Sequence, residues 1–145
     1  LSVRSRDNSR TPMQWSAAEN AGFTSGTPWL ALPDKFTMIN AAAERMDPDS
    51  IFRFYQTLIR LRKEMPIIQR GDIFFLEREN ASIIAYERAY AEQKLRVYCN
   101  FRAANVPLME DSLDALTEAG WKKLLGNYEG LAVNLRPYEV VVLTK

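Results

Sequence analysis

The sequence has no histidine and one cysteine, Cys99, among its 145 residues. A single cysteine excludes an intrachain disulfide and fits a reducing compartment, so we expect a cytoplasmic protein. No apolar run approaches the ~18 residues that a membrane-spanning helix needs. The net charge is +1 without a dense lysine or arginine cluster, so we expect no nucleic-acid partner and no membrane partner. No side chains are spaced as metal ligands, so we assign no metal and no cofactor.

What the chain does contain is typical of a globular protein. Its composition is 47% hydrophobic and 26% charged, and its length is that of one ordinary domain. A chain of this size buries roughly two thirds of its unfolded surface. The sequence begins with Leu1 and has no signal-peptide pattern, which suggests a piece of something longer.

The most unusual stretch, residues 5–15, has the sequence SRDNSRTPMQW. It shows neither helical nor strand periodicity, so we predict an ordered loop. Its two arginines, Arg6 and Arg10, present rigid forks of donors that suit carboxylates and hydroxyls. Trp15 offers an apolar face for a sugar ring or for another side chain. Composition alone favours a surface loop with a structural ion pair over a binding site.

In the rest of the first half, the sequence predicts turns followed by helices. Turn signals occur at 20–22, 25–28 and 32–34, and the apolar side chains between them indicate a segment built against a partner surface. Residues 41–46 predict a short helix. Asp47 and Pro48 predict the start of a longer one that Pro66 ends. Its apolar stripe, which we interpret as core, comprises Ile51, Phe54, Tyr55, Leu58 and Ile59.

From residue 67 onward the pattern changes to that of short strands. We predict them at 72–77, 83–88, 94–101, 105–108, 121–125, 132–135 and 139–143, with a hairpin turn at 90–93. Residues 111–119 fit a brief helix or a loop. Strands this short and regularly spaced predict an antiparallel sandwich or barrel. Trp121 and Tyr138 are core candidates, although an exposed aromatic pair there could also bind glycan.

Several stretches together resemble a known family. SRDNSRTPMQW, followed by NAGFT at 20–24 and GTPWL at 26–30, resembles the α-glucosidase branch of the α-amylase superfamily, glycoside hydrolase family 13. This branch includes oligo-1,6-glucosidases, dextran glucosidases and trehalose-6-phosphate hydrolases; DPDSIF at 47–52 and residues 55–63 agree with it. The resemblance implies a mixed fold. Residues 1–66 would form the end of a catalytic (β/α)8 barrel (the loop after strand 8 and helix 8), and residues 67–145 an antiparallel β-sandwich, domain C.

The resemblance implies binding residues but no catalytic ones. A retaining glycosidase needs two carboxyl groups about 5 Å apart, and the family carries them, with two histidines, upstream of this stretch. None of those motifs occurs here, and we interpret the eighteen acidic residues as surface, capping and turn residues. Arg6 matches the family arginine that lines the pocket for the non-reducing glucose, and Arg10 one near the adjacent sugar position. An ion pair that only braces the loop remains the alternative for each arginine.

The implied function is the C-terminal part of a retaining exo-α-glucosidase that hydrolyses α-1,6 bonds of short oligosaccharides. Its partners would be the α-glucoside substrate and the rest of the barrel, and the chain should be inactive alone. A trehalose-6-phosphate hydrolase parent, a noncatalytic carbohydrate-binding or interaction module, and a transporter accessory subunit are the alternatives. For the chain alone, we expect self-association through the helical stripe. Residues 1–46 should be the least protected from hydrogen exchange.

Overall fold

A computed structural model describes residues 9–110 and 112–145 of the chain. They pack as two units, which divide between Leu61 and Arg62. The elements within this part of the chain are helices α1 (Ala41–Met46), α2 (Ile51–Glu64), α3 (Pro66–Arg70) and α4 (Leu113–Glu118), and strands β1 (Asp72–Leu76), β2 (Ile83–Tyr90), β3 (Gln93–Asn100), β4 (Lys122–Gly126) and β5 (Val140–Thr144).

The first unit is mostly loop. Residues 11–16 are in neither helix nor strand, in agreement with the predicted ordered loop, and a short 3-10 turn follows at Glu19–Gly22. Helix α1 has the predicted bounds. Burial is sparse here: among the described residues 9–61, the buried ones are Pro12, Ala21, Asn40 and Ser50. Because these side chains are small, they do not form a hydrophobic core of their own.

Helix α2 starts later than predicted. We expected Asp47 to cap it with Pro48 in the first turn, but the helix begins at Ile51. Asp47 instead caps a turn, since its Oδ1 accepts a hydrogen bond from the Asp49 amide at 2.9 Å. The capping role belongs to Ser50, whose Oγ accepts from the Arg53 amide at 3.2 Å. A serine three residues before an open amide is the usual N-cap arrangement.

Pro66 ends α2 as predicted, but a second helix follows it. Met65 is extended, with φ −109° and ψ 100°, and Pro66 then occupies the first turn of α3. The sequence analysis missed α3 because proline both terminates one helix and suits the start of the next. The Arg88 side chain on β2 ties α3 to the sheet by donating to the carbonyls of Ile67 (2.9 Å) and Gly71 (2.8 Å).

The second unit is built on one antiparallel sheet in the order β1-β2-β3-β5-β4. The predicted antiparallel β fold is therefore confirmed, and every strand pair in the described sheet is antiparallel. Strands β2 and β3 form the predicted hairpin, in which Tyr90 pairs with Gln93 and Ala91 has φ 53°. The other end of the sheet carries a register shift between Lys123 and Leu125.

Both faces of the sheet are covered. On one face, α4 and the loops pack against the central strands to give the larger cluster: Ile83, Ala85, Tyr98, Leu113, Leu116, Trp121, Leu135, Val141 and Leu143. On the other face, α3 packs against β3 through Ile67, Leu95 and Val97. Alternate residues of β3 thus point into different clusters, so this strand is buried on both sides. Trp121 is a core residue, as predicted.

Two predicted strands are reduced to a single bridge. Residues 105–108 and 132–135 contribute only the antiparallel pair Val106–Leu135. The side-chain amide of the buried Asn100 lies next to this bridge and donates to the carbonyls of Ala104 and Arg136, both at 2.8 Å. These two carbonyls flank the bridged segments, and a side chain satisfies them in place of a strand partner.

Candidate functional site

The two predicted sugar-binding residues have different outcomes. Arg6 and its neighbour Asp7 lie outside the described residues, so the assignment of Arg6 stays a prediction. Arg10 is described, and it is an exposed residue of the loop. The loop leaves Arg10 two positions from the buried Pro12. The proline ring fixes φ at position 12 and so removes one of the free backbone torsions near Arg10.

The backbone just after this proline is held on two sides. The amides of Trp15 and Ser16 donate to the Ala21 carbonyl at 2.9 and 3.0 Å. From the other direction, the Ala41 and Ala42 amides donate to the carbonyls of Gln14 and Trp15 at 2.9 and 3.0 Å. We call these four hydrogen bonds the backbone clamp. The main-chain atoms of Gln14 and Trp15 thus anchor the loop.

Asn40 completes the first turn of α1, which supplies half of the clamp. Its Oδ1 accepts from the Ala43 amide at 2.9 Å, and its Nδ2 donates to the Phe36 carbonyl at 2.9 Å. The side chain is 4% exposed. A buried asparagine that both caps a helix and holds the preceding turn fixes the direction in which the first amides point.

The other half of the clamp is a left-handed turn. Asn20, Ala21 and Gly22 have φ values of 52°, 56° and 67°. Such positive φ values are unfavourable for alanine, and neighbouring contacts hold the turn in place. The side-chain Nδ2 of Asn20 donates to the Gly26 carbonyl at 3.0 Å. Ala21 is fully buried. This turn aims the Ala21 carbonyl at the amides of Trp15 and Ser16.

Three large aromatic side chains of this unit's loops face outward. Trp15 is 54%, Phe23 50% and Trp29 84% exposed. Their exposure agrees with the expectation that they pack against a surface outside the chain, because exposed apolar surface of this kind marks an interaction site. Trp15 therefore divides its roles: the main chain belongs to the clamp and the indole lies at the surface.

The interpretation of all acids as surface, capping or turn residues is wrong for Glu77. Glu77 is 2% exposed and has φ 52°. Its carboxylate accepts from the amides of Met109 and Glu110 at 2.8 Å, and the Asn80 side chain donates to it at 3.3 Å. A carboxylate surrounded by backbone donors holds a loop against a strand end. It has a structural role, which sequence spacing does not indicate.

Glu139 is the second buried acid, and it is fully buried. Burial alone would raise the pKa of its carboxyl group, but hydrogen bonds from the Arg136 side chain and amide outweigh burial and lower the pKa. Arg136 Nη2 donates to Oε1 at 2.6 Å, and the Arg136 amide donates to Oε2 at 2.7 Å. The guanidinium carbon also lies 4.3 Å from the centre of the Tyr128 ring. A carboxylate held ionised in this way suits an ion pair, not a general acid.

Tyr138 was predicted as a core residue, and this is wrong. It has φ 54° and is 61% exposed. The left-handed backbone between Pro137 and the buried Glu139 turns the tyrosine outward while the glutamate points in. The expected pairing of Tyr138 with Trp121 as exposed aromatics also fails, since Trp121 is 6% exposed.

The sheet edge carries a groove of about 410 Å³ between β1 and β2. Its lining is mainly apolar, and the carboxylate of Glu77 at one end is already bonded to loop amides. In the part of the chain that the structure describes, no three metal-ligating side chains come together. No helix among residues 9–110 and 112–145 is long and apolar enough to cross a membrane.

Comparisons with known proteins identify the family to which the chain belongs. Residues 1–71 match the family model described as alpha amylase, catalytic domain. The chain belongs to the alpha-amylase family. Within this family it is similar to glucosidases. The oligo-1,6-glucosidase of Heyndrickxia coagulans is 41% identical to it over 96% of this chain and 24% of that protein. The trehalose-6-phosphate hydrolase of Bacillus subtilis is 42% identical, over 100% of this chain and 27% of that protein.

Solved structures show the same similarity. The crystal structure of trehalose-6-phosphate hydrolase from Bacillus licheniformis matches with a TM-score of 0.78 and 38% identity, over 97% of this chain and 26% of that one. An isomaltulose synthase from Erwinia rhapontici matches with a TM-score of 0.76 and 34% identity, again over 97% and 26%. The chain thus spans about a quarter of the length of the relatives it matches.

Proposed function

We propose that the chain is the C-terminal part of a retaining α-glucosidase that hydrolyses α-1,6 or related bonds of short glucose oligosaccharides. The observation that carries the proposal is the 41% identity to an oligo-1,6-glucosidase over 96% of the chain. On this proposal, residues 1–66 belong to the end of the catalytic barrel and residues 67–145 to domain C. The family match over residues 1–71 supports that division.

The proposed contribution of the first unit is one wall of the glucose pocket. Arg6 and Arg10 would donate to sugar hydroxyls and fix neighbouring carboxylates, which is what a guanidinium fork does best. The exposure of Arg10 agrees with this role. A pocket wall of this kind needs a rigid support, because a small displacement of a residue that positions the substrate lowers the rate of the reaction strongly.

Catalysis would come from the rest of the enzyme. A retaining mechanism needs a nucleophilic carboxylate and an acid/base carboxyl about 5 Å apart. Among the described residues, the two buried carboxylates, Glu77 and Glu139, are each committed to loop contacts. The chain alone should therefore bind and hydrolyse nothing. We also propose a cytoplasmic location, supported by the single cysteine, Cys99.

A hybrid enzyme tests this proposal. The chain replaces the corresponding quarter of the Heyndrickxia coagulans oligo-1,6-glucosidase, and hydrolysis of isomaltose and of trehalose-6-phosphate is measured. We expect an active hybrid, a much lower kcat/KM in Arg6→Lys and Arg10→Lys, and no activity of the chain alone. An Arg→Lys change keeps the charge but loses the fork. Arginine variants with unchanged kcat/KM in an active hybrid would exclude the pocket-wall role.

The parent could instead be a trehalose-6-phosphate hydrolase, because a relative with that name is 42% identical. A second hybrid, built on the Bacillus subtilis protein, addresses this alternative. If the chain supports trehalose-6-phosphate hydrolysis there and fails to support isomaltose hydrolysis in the first hybrid, this second parent is favoured. Equal support in both would mean that the substrate is chosen outside the chain.

A noncatalytic carbohydrate-binding module is a candidate from a different class. Exposed aromatic side chains on the second unit favour it: Phe74, Phe75, Phe101 and Tyr138 are 55–61% exposed. Such rings can stack on sugars. Calorimetric titration of the chain with isomaltotriose decides between the two. Saturable binding that Phe101→Ala or Tyr138→Ala abolishes would support the module, and no binding would support the enzyme parent.

A further inference from the structure

We propose that Asn40 is a positioning residue for the arginine-bearing segment: it fixes the place of Arg10 through the backbone clamp. This inference rests on the proposed function, because it concerns how the pocket wall is held. Asn40 itself would touch neither substrate nor reacting atoms. It lies thirty positions from Arg10 in the sequence, which is why no spacing pattern indicates a connection.

The first step runs from Asn40 to the clamp. Its side chain satisfies the Ala43 amide and holds the Phe36 carbonyl, both at 2.9 Å. With these two contacts the next amides along the chain, those of Ala41 and Ala42, point at the carbonyls of Gln14 and Trp15. Loss of the cap frees the first turn of α1, which is only six residues long. A helix this short has little stability of its own, so the cap decides whether its amides stay in place.

The second step runs from the clamp to Arg10. Three residues separate Arg10 from Gln14, and one of them is the buried Pro12 with its fixed φ. The left-handed turn restrains the same stretch from the opposite side, because the Ala21 carbonyl accepts from Trp15 and Ser16. The four hydrogen bonds hold the backbone of residues 14–16 from two parts of the chain, Ala21 and the start of α1. Arg10 is then presented at a defined position although it is itself on the surface.

Hydrogen exchange of the 145-residue chain gives the first test. In Asn40→Ala, we expect the Ala41 and Ala42 amides to exchange roughly tenfold faster. Those of Trp15 and Ser16, whose own acceptor is unchanged, should accelerate as well. Ser112→Ala is the matched control, because Ser112 caps the equally short α4 by accepting from the Ala115 amide at 3.1 Å. Unchanged Trp15 and Ser16 exchange in Asn40→Ala would overturn the inference, since Asn40 would then stabilise α1 alone.

A double-mutant cycle in the hybrid enzyme gives the second test. We expect Asn40→Ala to raise KM about tenfold with a smaller change in kcat, Asn40→Asp to recover most of the loss because it keeps the acceptor, and Ser112→Ala to change neither constant. In an Arg10→Ala background, Asn40→Ala should have no further effect, because two residues that act through one contact are not additive. Effects that multiply would overturn the inference.

Failure of the proposed function looks different from failure of this inference. If Arg10→Ala leaves kcat/KM unchanged in an active hybrid, the substrate role of Arg10 falls, and the inference falls with it. If the arginine variants lose activity but Asn40→Ala behaves like Ser112→Ala, only the inference is overturned. An inactive hybrid with accelerated Trp15 and Ser16 exchange removes the enzymatic role but supports the connection between Asn40 and the segment.

Discussion

The two units of this chain bury their apolar side chains to very different extents. Residues 62–145 hold two hydrophobic clusters, in which Tyr98, Leu113, Leu135, Val141 and Leu143 are fully buried. In the described residues 9–61, burial is confined to Pro12, Ala21, Asn40 and Ser50, while Trp15, Phe23 and Trp29 stay at least half exposed. The second unit therefore resembles a domain with its own core, and the first resembles one layer of a larger core.

This difference shows two ways to give a segment a defined shape. The second unit is held by burial, at about 25 cal/mol for each Å² of apolar surface removed from water. Hydrogen bonds hold the first unit: the backbone clamp, the Asn40 cap and the left-handed turn. Each such bond contributes only about 1 kcal/mol net, so the first unit should have a shape without having much stability of its own. Substitutions in the two units should therefore differ in effect.

The largest contrast is expected from matched leucine truncations. Leu143→Ala removes a fully buried side chain of β5 and should lower the free energy of unfolding by about 2–5 kcal/mol. Leu58→Ala truncates a side chain that is 38% exposed on α2 and should cost less than about 1 kcal/mol. Urea unfolding followed by circular dichroism and by tryptophan fluorescence, which reports Trp15 and Trp29 of the first unit as well as Trp121 of the second, measures both. Equal costs for the two truncations would contradict the assignment of separate stabilities to the units.

Glycine substitutions should sharpen the same contrast. A Cβ at Gly71, between α3 and β1, would lie 2.6 Å from the Ile67 carbonyl oxygen and 3.1 Å from that of Ala89. Because both contacts are with backbone, Gly71→Ala should destabilise the second unit by about 1–3 kcal/mol. At Gly26 the nearest atom would be Thr24 Oγ1 at 3.8 Å, so Gly26→Ala should change stability by no more than about 0.5 kcal/mol. Thermal unfolding of both variants decides, and a neutral Gly71→Ala would show that α3 moves freely relative to the sheet.

The buried acid Glu139 should make the stability of the second unit depend on pH. Its pKa is lowered in the folded chain, so its contribution is complete above the unfolded pKa of about 4.3 and is lost as the pH falls through the lower folded value. Glu139→Gln should cost about 1–3 kcal/mol at pH 7 and progressively less below pH ~4. Glu129→Gln, an exposed acid of the same loop, is the control. The urea midpoints of Glu139→Gln and of the wild-type chain are compared at pH 7, 5 and 3. A difference between the two proteins that is the same at all three pH values would contradict this account.

The sequence predicted elements well where one physical signal dominates. Helix α1, the end of α2 and the hairpin of β2 and β3 follow from periodicity, proline and turn residues. The antiparallel fold of the second half follows from its short alternating runs. These signals are local in the sequence, so they can be recognised without knowing which residues pack against the element.

Features that depend on contacts between distant residues could not be predicted. Helix α3, the buried Glu77 and Glu139, and the outward Tyr138 all require knowledge of their partners. Asn100 shows why: its side chain donates to carbonyls 4 and 36 positions away, which no local sequence pattern indicates. The candidate site follows the same division. Arg6 and Arg10 followed from the family resemblance of residues 5–15, whereas the clamp at residues 14–16 depends on Ala21, Asn40 and α1, which carry no motif.

The smallest expected change in stability, and the most informative about the first unit, concerns the apolar stripe of α2. Ile51 is 73% and Tyr55 61% exposed, and no residue of α2 is buried. Replacing them with Ile51→Gln and Tyr55→Gln should change the unfolding free energy by no more than about 0.5 kcal/mol, because they contact little within the chain. The same double variant should abolish self-association in sedimentation experiments, whereas Arg60→Gln on the same helix should not. If the wild-type chain is monomeric at high concentration, the exposed stripe does not cause self-association and the prediction is wrong. A lower stability of the glutamine variant would instead mean that the stripe already packs against the unit, and the contrast between the two units would be smaller than their burial indicates.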